Sequence, residues 1–540
     1  MLLEATNLTK SIGAKDLLED LVFTIELGEK IALIGRNGQG KTTLLKILSG
    51  EDSDFEGVVK LRKGLRVTLT KQEHIEDTKQ SALEYILKSV PDFHKHEQIL
   101  QEFEQGIMTN TNVYSESMEY FTENGYYYIK DSILQTLSDF QISKENAQQP
   151  LATLSGGEKR YVEMTRMMYS QSDFFLIDEP TNHMDYLGKE QFISWMQTLP
   201  KSVVVVTHDR DVLKHVSKIM ELKDKKLSVY KGNYDHYISQ NASQTSSSVK
   251  HYSDQLNRLK EAKKRVEWGQ QMRAKSKAWK IRYDHWLRDY EKIKAETVKP
   301  SFWIDQDSVE SMDKKVLDSY QKFKEKNITI ATNAGKERAS ELVTVRNLSL
   351  GYEKPVFADI SFSIKNNDRV FIKGRNGAGK STLVRTLLSL SKQEVPQAKQ
   401  FAGEIILANG LRIGEYEQEI SEKYLALPLE EAILLSYSEM GVPIEDRQLK
   451  SLLAQYLFNP IMDGRQKIAN LSGGQKARFQ LIKMFIAKPN LLILDEPTNH
   501  LDLPSIEELE NTLATFQGGI LYISHDTYFI EHVGGEVVEI

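Results

Sequence analysis

The sequence predicts an α/β protein built twice over, two nucleotide-binding halves joined by an α-helical linker. Three observations carry this. First, two glycine-rich stretches have the spacing of a phosphate-binding P-loop: Gly35-Arg36-Asn37-Gly38-Gln39-Gly40-Lys41-Thr42 and Gly374-Arg375-Asn376-Gly377-Ala378-Gly379-Lys380-Ser381. Second, each is followed by a Leu-Ser-Gly-Gly turn and then by an apolar run ending in Asp-Glu, at Asp178-Glu179 and Asp495-Glu496. Third, these landmarks repeat in the same order at near-constant spacing.

The spacing fixes the outline of the duplication. Lys41 and Lys380 are 339 residues apart, and Gln72 and Gln418 are 346 apart. Ser155 and Ser472, Glu179 and Glu496, and His208 and His525 all stand 317 apart. The first half therefore holds about 29 extra residues between Gln72 and Ser155. That stretch reads as helical, with aromatics at Tyr120, Phe121 and Tyr126 to Tyr128. It is either a surface subdomain or an arm that touches a partner. The expected domains are 1–238, with the helical arm within about 85–145, then a helical linker at 239–340, then 341–540.

In each half β-like runs (Lys30 to Gly35, Phe174 to Asp178, Val203 to Thr207) alternate with helical segments, the pattern of an α/β layer fold. Each P-loop follows such a run and opens a helix-like one, Thr43 to Leu48 and Thr382 to Leu388. A length of 540 residues suits two to four domains. Apolar content of 40% and charged content of 27% are ordinary for globular protein. The chain has no cysteine, which excludes disulfides, iron–sulfur clusters and thiolate zinc sites. The start, Met-Leu-Leu-Glu-Ala-Thr, lacks the pattern of a signal peptide. Apolar runs such as Val203 to Val206 and Leu491 to Leu494 fall far short of the roughly 20 residues of a membrane helix. The expectation is a cytoplasmic protein with no membrane span.

The motifs specify chemistry. Glycines let the backbone wrap phosphates with its N–H groups, and a helix N-terminus adds a positive end. Lys41 and Lys380 would contact β- and γ-phosphates, with Thr43 and Thr382 next in each loop. Thr42 and Ser381 would ligate Mg²⁺, joined by Asp178 and Asp495. Glu179 and Glu496 are placed to polarise the attacking water. His208 and His525 follow strands and would contact the γ-phosphate or orient the water; Gln72 and Gln418 would sense Mg²⁺ and water. The turns Ser155-Gly156-Gly157-Glu158 and Ser472-Gly473-Gly474-Gln475 should cap helices starting near Glu158 and Gln475. Each would be a second anion site, with a natural use on a different ATP face from the one the P-loop grips.

The segment between the halves has another character. Residues 251–300 carry 14 Lys and Arg against seven Asp and Glu, so a chain of net charge −6 is at −13 elsewhere. Four of the five tryptophans lie in the linker, Trp268, Trp279, Trp286 and Trp303, with Tyr283, Tyr290 and Phe302. Basic side chains interleaved with rings suit RNA. The bland alternative is a solvated coiled coil whose rings pack its seam. Trp268 and Tyr290 are assigned to packing; Arg273, Lys275, Lys277, Trp279, Lys280 and Arg282 are assigned to a polyanion. Helical patterning runs over 249–272 and 280–294, with a hairpin tip expected at 274–278. An alternative places the turn at 298–305, beside the helix-breaking Pro300, and a further helix is expected over 308–326.

The order P-loop, Gln, Leu-Ser-Gly-Gly-Gln, Leu-Leu-Ile-Leu-Asp-Glu-Pro and His resembles the ATP-binding cassette (ABC) ATPases over nearly all of both halves. The resemblance implies two P-loop ABC ATPase domains in a head-to-tail sandwich within one monomer. Ser472-Gly473-Gly474 would face the ATP held by Lys41, and Ser155-Gly156-Gly157 that held by Lys380, with Asp185 and Asp502 across the seam. Departures are Glu158 in place of Gln and Met184 against Leu501. Tyr352 fits the adenine-stacking aromatic, whereas the first half has Ile12 there.

Two cassettes, no membrane domain, a charged helical linker and the twin runs Asp178-Glu-Pro-Thr-Asn-His183 and Asp495 to His500 resemble the ABC-F family. Glu267-Trp268 and the basic run after it are similar to the linker of bacterial members. That resemblance implies binding at the ribosomal tRNA exit site, with the linker reaching large-subunit rRNA, peptidyl-tRNA and the peptidyl-transferase centre. The role implied is either antibiotic ribosome protection or translation factor. The lack of cysteine argues against the iron–sulfur ribosome-recycling relatives and the zinc-bearing DNA-repair ones. A DNA-associated ATPase and the cytosolic ATPase subunit of a transporter remain as alternatives from other classes.

Overall fold

The computed structural model describes residues 1–13, 15–70, 79–182, 184–297, 317, 341–417, 420–499 and 501–540. Gln72, Gln418, His183, His500, Phe302, Trp303, the alternative turn at 298–305 and nearly all of the expected helix 308–326 lie outside them.

Each half is built on a mainly parallel sheet. In the first the strand order is Val67–Leu69, Phe174–Asp178, Ser202–Val206, Lys30–Ile34, Lys218–Lys223, Lys226–Lys231, with only the last strand antiparallel. In the second it is Ile413–Tyr416, Leu491–Asp495, Gly519–Ile523, Arg369–Lys373, Glu536–Glu539, all parallel. The inner strands read as unbroken apolar runs because helices cover both faces, and every residue of Phe174–Asp178, Ser202–Val206 and Gly519–Ile523 is buried. Each half adds a three-stranded antiparallel sheet, Lys15–Ile25, Leu3–Ile12, Glu56–Leu61 and Pro355–Ile364, Val343–Gly351, Lys399–Leu407.

Register places the chemistry. Asp178 pairs with Val206 and Asp495 with Ile523, so each Asp-Glu ends beside the strand that leads to His208 or His525. The P-loop strands Lys30–Ile34 and Arg369–Lys373 lie next in each sheet. All these groups therefore emerge at the carboxyl edge of a parallel sheet, where open α/β sheets bind ligands.

The extra residues of the first half form two helices, Phe93–Glu104 and Thr111–Glu123, where the second half passes directly from helix Leu429–Glu439 to helix Asp446–Gln455. Stacked rings close this pair: Phe103 on Tyr114 at 4.0 Å, His96 on Tyr120 at 4.2 Å and Phe93 on Phe121 at 5.5 Å. Tyr126 is buried, while Tyr127 and Tyr128 face solvent.

One helix, Tyr234–Met272, leaves the first half and runs across residue 238 without a break. At ~1.5 Å per residue it is about 58 Å long. A turn at 273–276 returns it as helix Lys277–Glu296, capped by Ser276, whose hydroxyl accepts from Trp279 N at 3.3 Å. The tip thus lies where the hairpin reading puts it. Trp268 packs on Trp279 at 5.1 Å and on Trp286 at 5.9 Å. Gly269 permits this approach, since a Cβ there would stand 3.0 Å from the Trp286 ring.

Candidate functional site

Both P-loops cradle their own lysine. Lys41 Nζ donates to the Gly35 carbonyl at 2.5 Å, and Lys380 Nζ to those of Gly374 and Arg375 at 2.8 and 2.9 Å. The loops need glycine at Gly40 and Gly379, whose φ values are 102° and 101°. A Cβ at either would also meet a packed side chain, Leu17 at 2.8 Å or Phe357 at 2.7 Å. No side chain caps the helices that follow, Lys41–Ser49 and Lys380–Ser391. Their first N–H groups thus point into the loop, the geometry that binds phosphate.

Ser381 Oγ donates to Asp495 Oδ2 at 3.0 Å, so a hydroxyl and a carboxylate oxygen sit together beside the P-loop, a donor set that suits a hard cation. Glu179 and Glu496 both hold left-handed backbone, φ 46° and 50°, and both donate their N–H to the neighbouring strand, at Val206 O and Ile523 O. His525 Nε2 lies 3.3 Å from Glu496 Oε1, and the backbone N–H of His525 donates to Glu496 Oε2 at 3.2 Å. His208 Nε2 lies 3.7 Å from Glu179 Oε1 and 3.1 Å from Lys41 Nζ.

Burial dominates the electrostatics. It pushes Glu179 up to about 8, against the pull of Lys41, and Glu496 up to about 7, against Lys380. It drives both histidines down to about 3, helped by Lys41 at His208 and Lys380 at His525, so both rings are neutral. Burial also lowers both lysines. Carboxyls raised towards neutrality beside neutral imidazoles are the environment of proton-handling groups.

The signature turns start helices at Gly156 and Gly473, two residues before the expected points, because the serines are the caps. Ser155 Oγ accepts from Glu158 N at 3.3 Å, and Glu158 Oε2 accepts from Ser155 N at 2.8 Å. Ser472 and Gln475 make the same reciprocal pair at 3.3 and 3.0 Å. Glu158 therefore performs the capping task of Gln475, a capping box that either residue can close.

The halves face each other head to tail. Asp502 Oδ2 accepts from Asn37 N, and Asp185 Oδ2 from Asn376 N, each at 3.3 Å. A Cβ on Gly474 would collide with the Asn37 side chain. The second signature thus abuts the first P-loop, and a cavity of about 600 Å³ lined by Lys41, Glu179, His208, Ser472 and Gly474 opens there. Ile12 lines it too, and Tyr352 is 51% exposed at the matching place in the second half.

On the linker, Arg273, Lys275, Lys277, Lys280 and Arg282 are exposed and Trp279 is half-buried. Arg273 lies over Tyr283 at 5.3 Å and Arg282 over Trp279 at 5.1 Å, so two of these cations already face rings of their own hairpin.

Sequence reasoning placed Asp185 and Asp502 across the seam, where they lie, but missed Arg210. Arg210 is buried against Glu510 at 3.3 Å and Glu507 at 3.6 Å, and stands over the Tyr528 ring at 5.1 Å. A search for charges present in only one repeat would have found it, since residue 317 places on is Thr527.

Comparison with known proteins agrees with this geometry. The family model described as ABC transporter matches residues 18–182 and 357–499. The putative ATP-binding protein YdiF of Bacillus subtilis (strain 168) is 28% identical over 555 aligned positions, covering 100% of this chain and 80% of that protein. ABC transporter F family member 5 of Arabidopsis thaliana is 28% identical, covering 99% of this chain and 74% of that one. Among solved structures, the archaeal ribosome recycling factor aABCE1, in complex with the ribosomal stalk protein aP1, has a TM-score of 0.58. It is 15% identical, over 99% of this chain and 87% of that one, a likeness of fold. With two matched domains, two P-loops and two signature turns across one seam, the chain belongs to the ATP-binding cassette family and carries its ATP-binding domain twice.

Proposed function

We propose that this protein is an ABC-F ATPase that binds the ribosomal exit-site region when its halves close on ATP and leaves after hydrolysis. In this reading Glu179 and Glu496 polarise the attacking water, with His208 and His525 beside them. Thr42 with Asp178, and Ser381 with Asp495, would hold Mg²⁺, together with Gln72 and Gln418. Mg²⁺ supplies charge neutralisation at the β- and γ-phosphates. The prong Tyr234–Glu296 would reach large-subunit rRNA and peptidyl-tRNA, as a ribosome-protection factor against antibiotics or as a translation factor.

One observation carries the reading: two cassettes closed on each other present a basic, ring-lined hairpin between them. No helix among the described residues is long and apolar enough to cross a membrane. The kinship with F-family members, and the likeness of fold to a ribosome recycling factor and to ribosome-bound archaeal ABCE1, support the same direction.

The test is co-sedimentation. Glu179→Gln with Glu496→Gln should lower turnover at least ~100-fold and hold the protein in the ribosomal pellet in the presence of ATP. A double variant that stays in the supernatant with ATP overturns the proposal. Retention on DNA or in a membrane fraction instead supports the other classes. Growth with and without peptidyl-transferase inhibitors separates protection from general translation.

A further inference from the structure

The charges across the seam differ between the two halves. Helix Tyr186–Thr198 is capped by Asp185 and carries Lys189 one turn in, with its ammonium buried. Lys189 Nζ lies 2.9 Å from Asp209 Oδ2 and 3.1 Å from Asp211 Oδ2, the carboxylates that follow His208. The same nitrogen crosses the seam and donates to the backbone carbonyl of His525 at 2.7 Å. Asp211 also accepts from the Thr527 hydroxyl of the second half at 2.8 Å.

Among the described residues the repeat offers no return contact of this kind. At the offset of 317, Lys189 corresponds to Ile506, Asp211 to Tyr528 and Arg210 to Thr527, whereas Asp209 keeps its carboxylate as Asp526. The apolar side chain of Ile506 cannot donate to the carbonyl of His208. The histidine loop of the second site is therefore held from across the seam by a buried ammonium, whereas that of the first site meets the same ammonium only from within its own half.

We propose that Lys189 is a positioning residue for the second ATP site, holding the His525 loop against Glu496 and making hydrolysis there depend on closure onto the first half. One turn of helix delivers both contacts to that site: Asp185 meets Asn376 N, and Lys189, four residues on, meets the His525 carbonyl. Because Lys189 also binds the loop after His208, it links the histidine loops of the two sites directly. The two ATP sites are non-equivalent as a consequence. This rests on the reading of Glu496 and His525 as catalytic residues.

The test measures each site separately in the full chain. Glu179→Gln leaves only the second site competent, and Glu496→Gln only the first. Lys189→Gln should lower turnover about tenfold more in the Glu179→Gln background than in the Glu496→Gln background. Lys189→Arg should bring that ratio back to within about threefold of unity. A purely structural lysine would lower both sites in parallel, and equal losses overturn the proposal. Should Lys189→Gln fail to fold, Thr527→Val decides instead, since it loosens Asp211 without stranding a cation. It should slow the second site about threefold more than the first, and a ratio of one overturns the proposal. If the two glutamine variants combined still hydrolyse ATP, the assignment of the glutamates fails, independently of Lys189.

Discussion

Glu179 and Glu496 sit in left-handed backbone that costs a non-glycine residue about 1–3 kcal/mol. The same strain at the same place in both halves marks it as part of the site. It turns each carboxyl away from the strand that precedes it and towards the P-loop lysine and the histidine. A single residue also explains the one departure in the signature. Glu158 and Gln475 accept from the same backbone group, so the exchange alters charge but not the cap. Glu158→Gln should therefore leave the melting temperature unchanged and ATP turnover within about twofold of the parent. Ser155→Ala removes the cap itself and should cost ~1 kcal/mol, read as a lower melting temperature. A large effect of Glu158→Gln would instead give its carboxylate a role beyond capping.

Elements were legible in the sequence where local chemistry set them. P-loop glycines, capping serines and unbroken apolar strands announce themselves, because each obeys a rule within a few residues. The linker's first half did not. Helix Tyr234–Met272 begins 15 residues before the expected start at Val249, through the stretch Ser243 to Ser248, which has poor helix propensity. Tyr234, Tyr237, Asn241 and Thr245 are buried, and this packing overrides propensity. The hydroxyls of Ser246 and Ser247 turn back onto the carbonyls of Ala242 and Ser243. The Trp268, Trp279 and Trp286 cluster then braces the tip, so the cations beyond it are presented on a stiff element. Changing Arg273, Lys275, Lys277 and Lys280 to Gln should weaken ribosome binding and lower the slope of log K against log salt by about 3. ATP turnover without RNA should remain within about twofold of the parent. An unchanged slope, measured by pelleting across a salt series, would return these residues to a solvated face.

At the scale of the whole molecule, the closure proposed above would be a balance set at the seam, and the seam is where the repeat breaks its own symmetry. Arg210 is buried among Glu507, Glu510 and Tyr528 of the opposite half. Burial lowers the intrinsic basicity of its guanidinium, and the surrounding acidic groups raise it by more. Removing one partner of such a set strands the other, at a cost of about 3–5 kcal/mol. Here the paired groups belong to different halves, so separating the halves would free the stranded carboxylates from the seam. The penalty therefore falls on the closed arrangement rather than on the folding of either half. Arg210→Met should raise the ATP concentration needed for closure at least tenfold, roughly the effect of 1.4 kcal/mol. Adding Glu507→Gln and Glu510→Gln should recover most of that loss, since the two carboxylates that pair with the guanidinium are then neutral. Distance probes on the two halves, read across an ATP titration, report the midpoint directly. Closure unchanged in Arg210→Met would mean that the nucleotide contacts alone set the balance and that the asymmetric charges at the seam have no part in it.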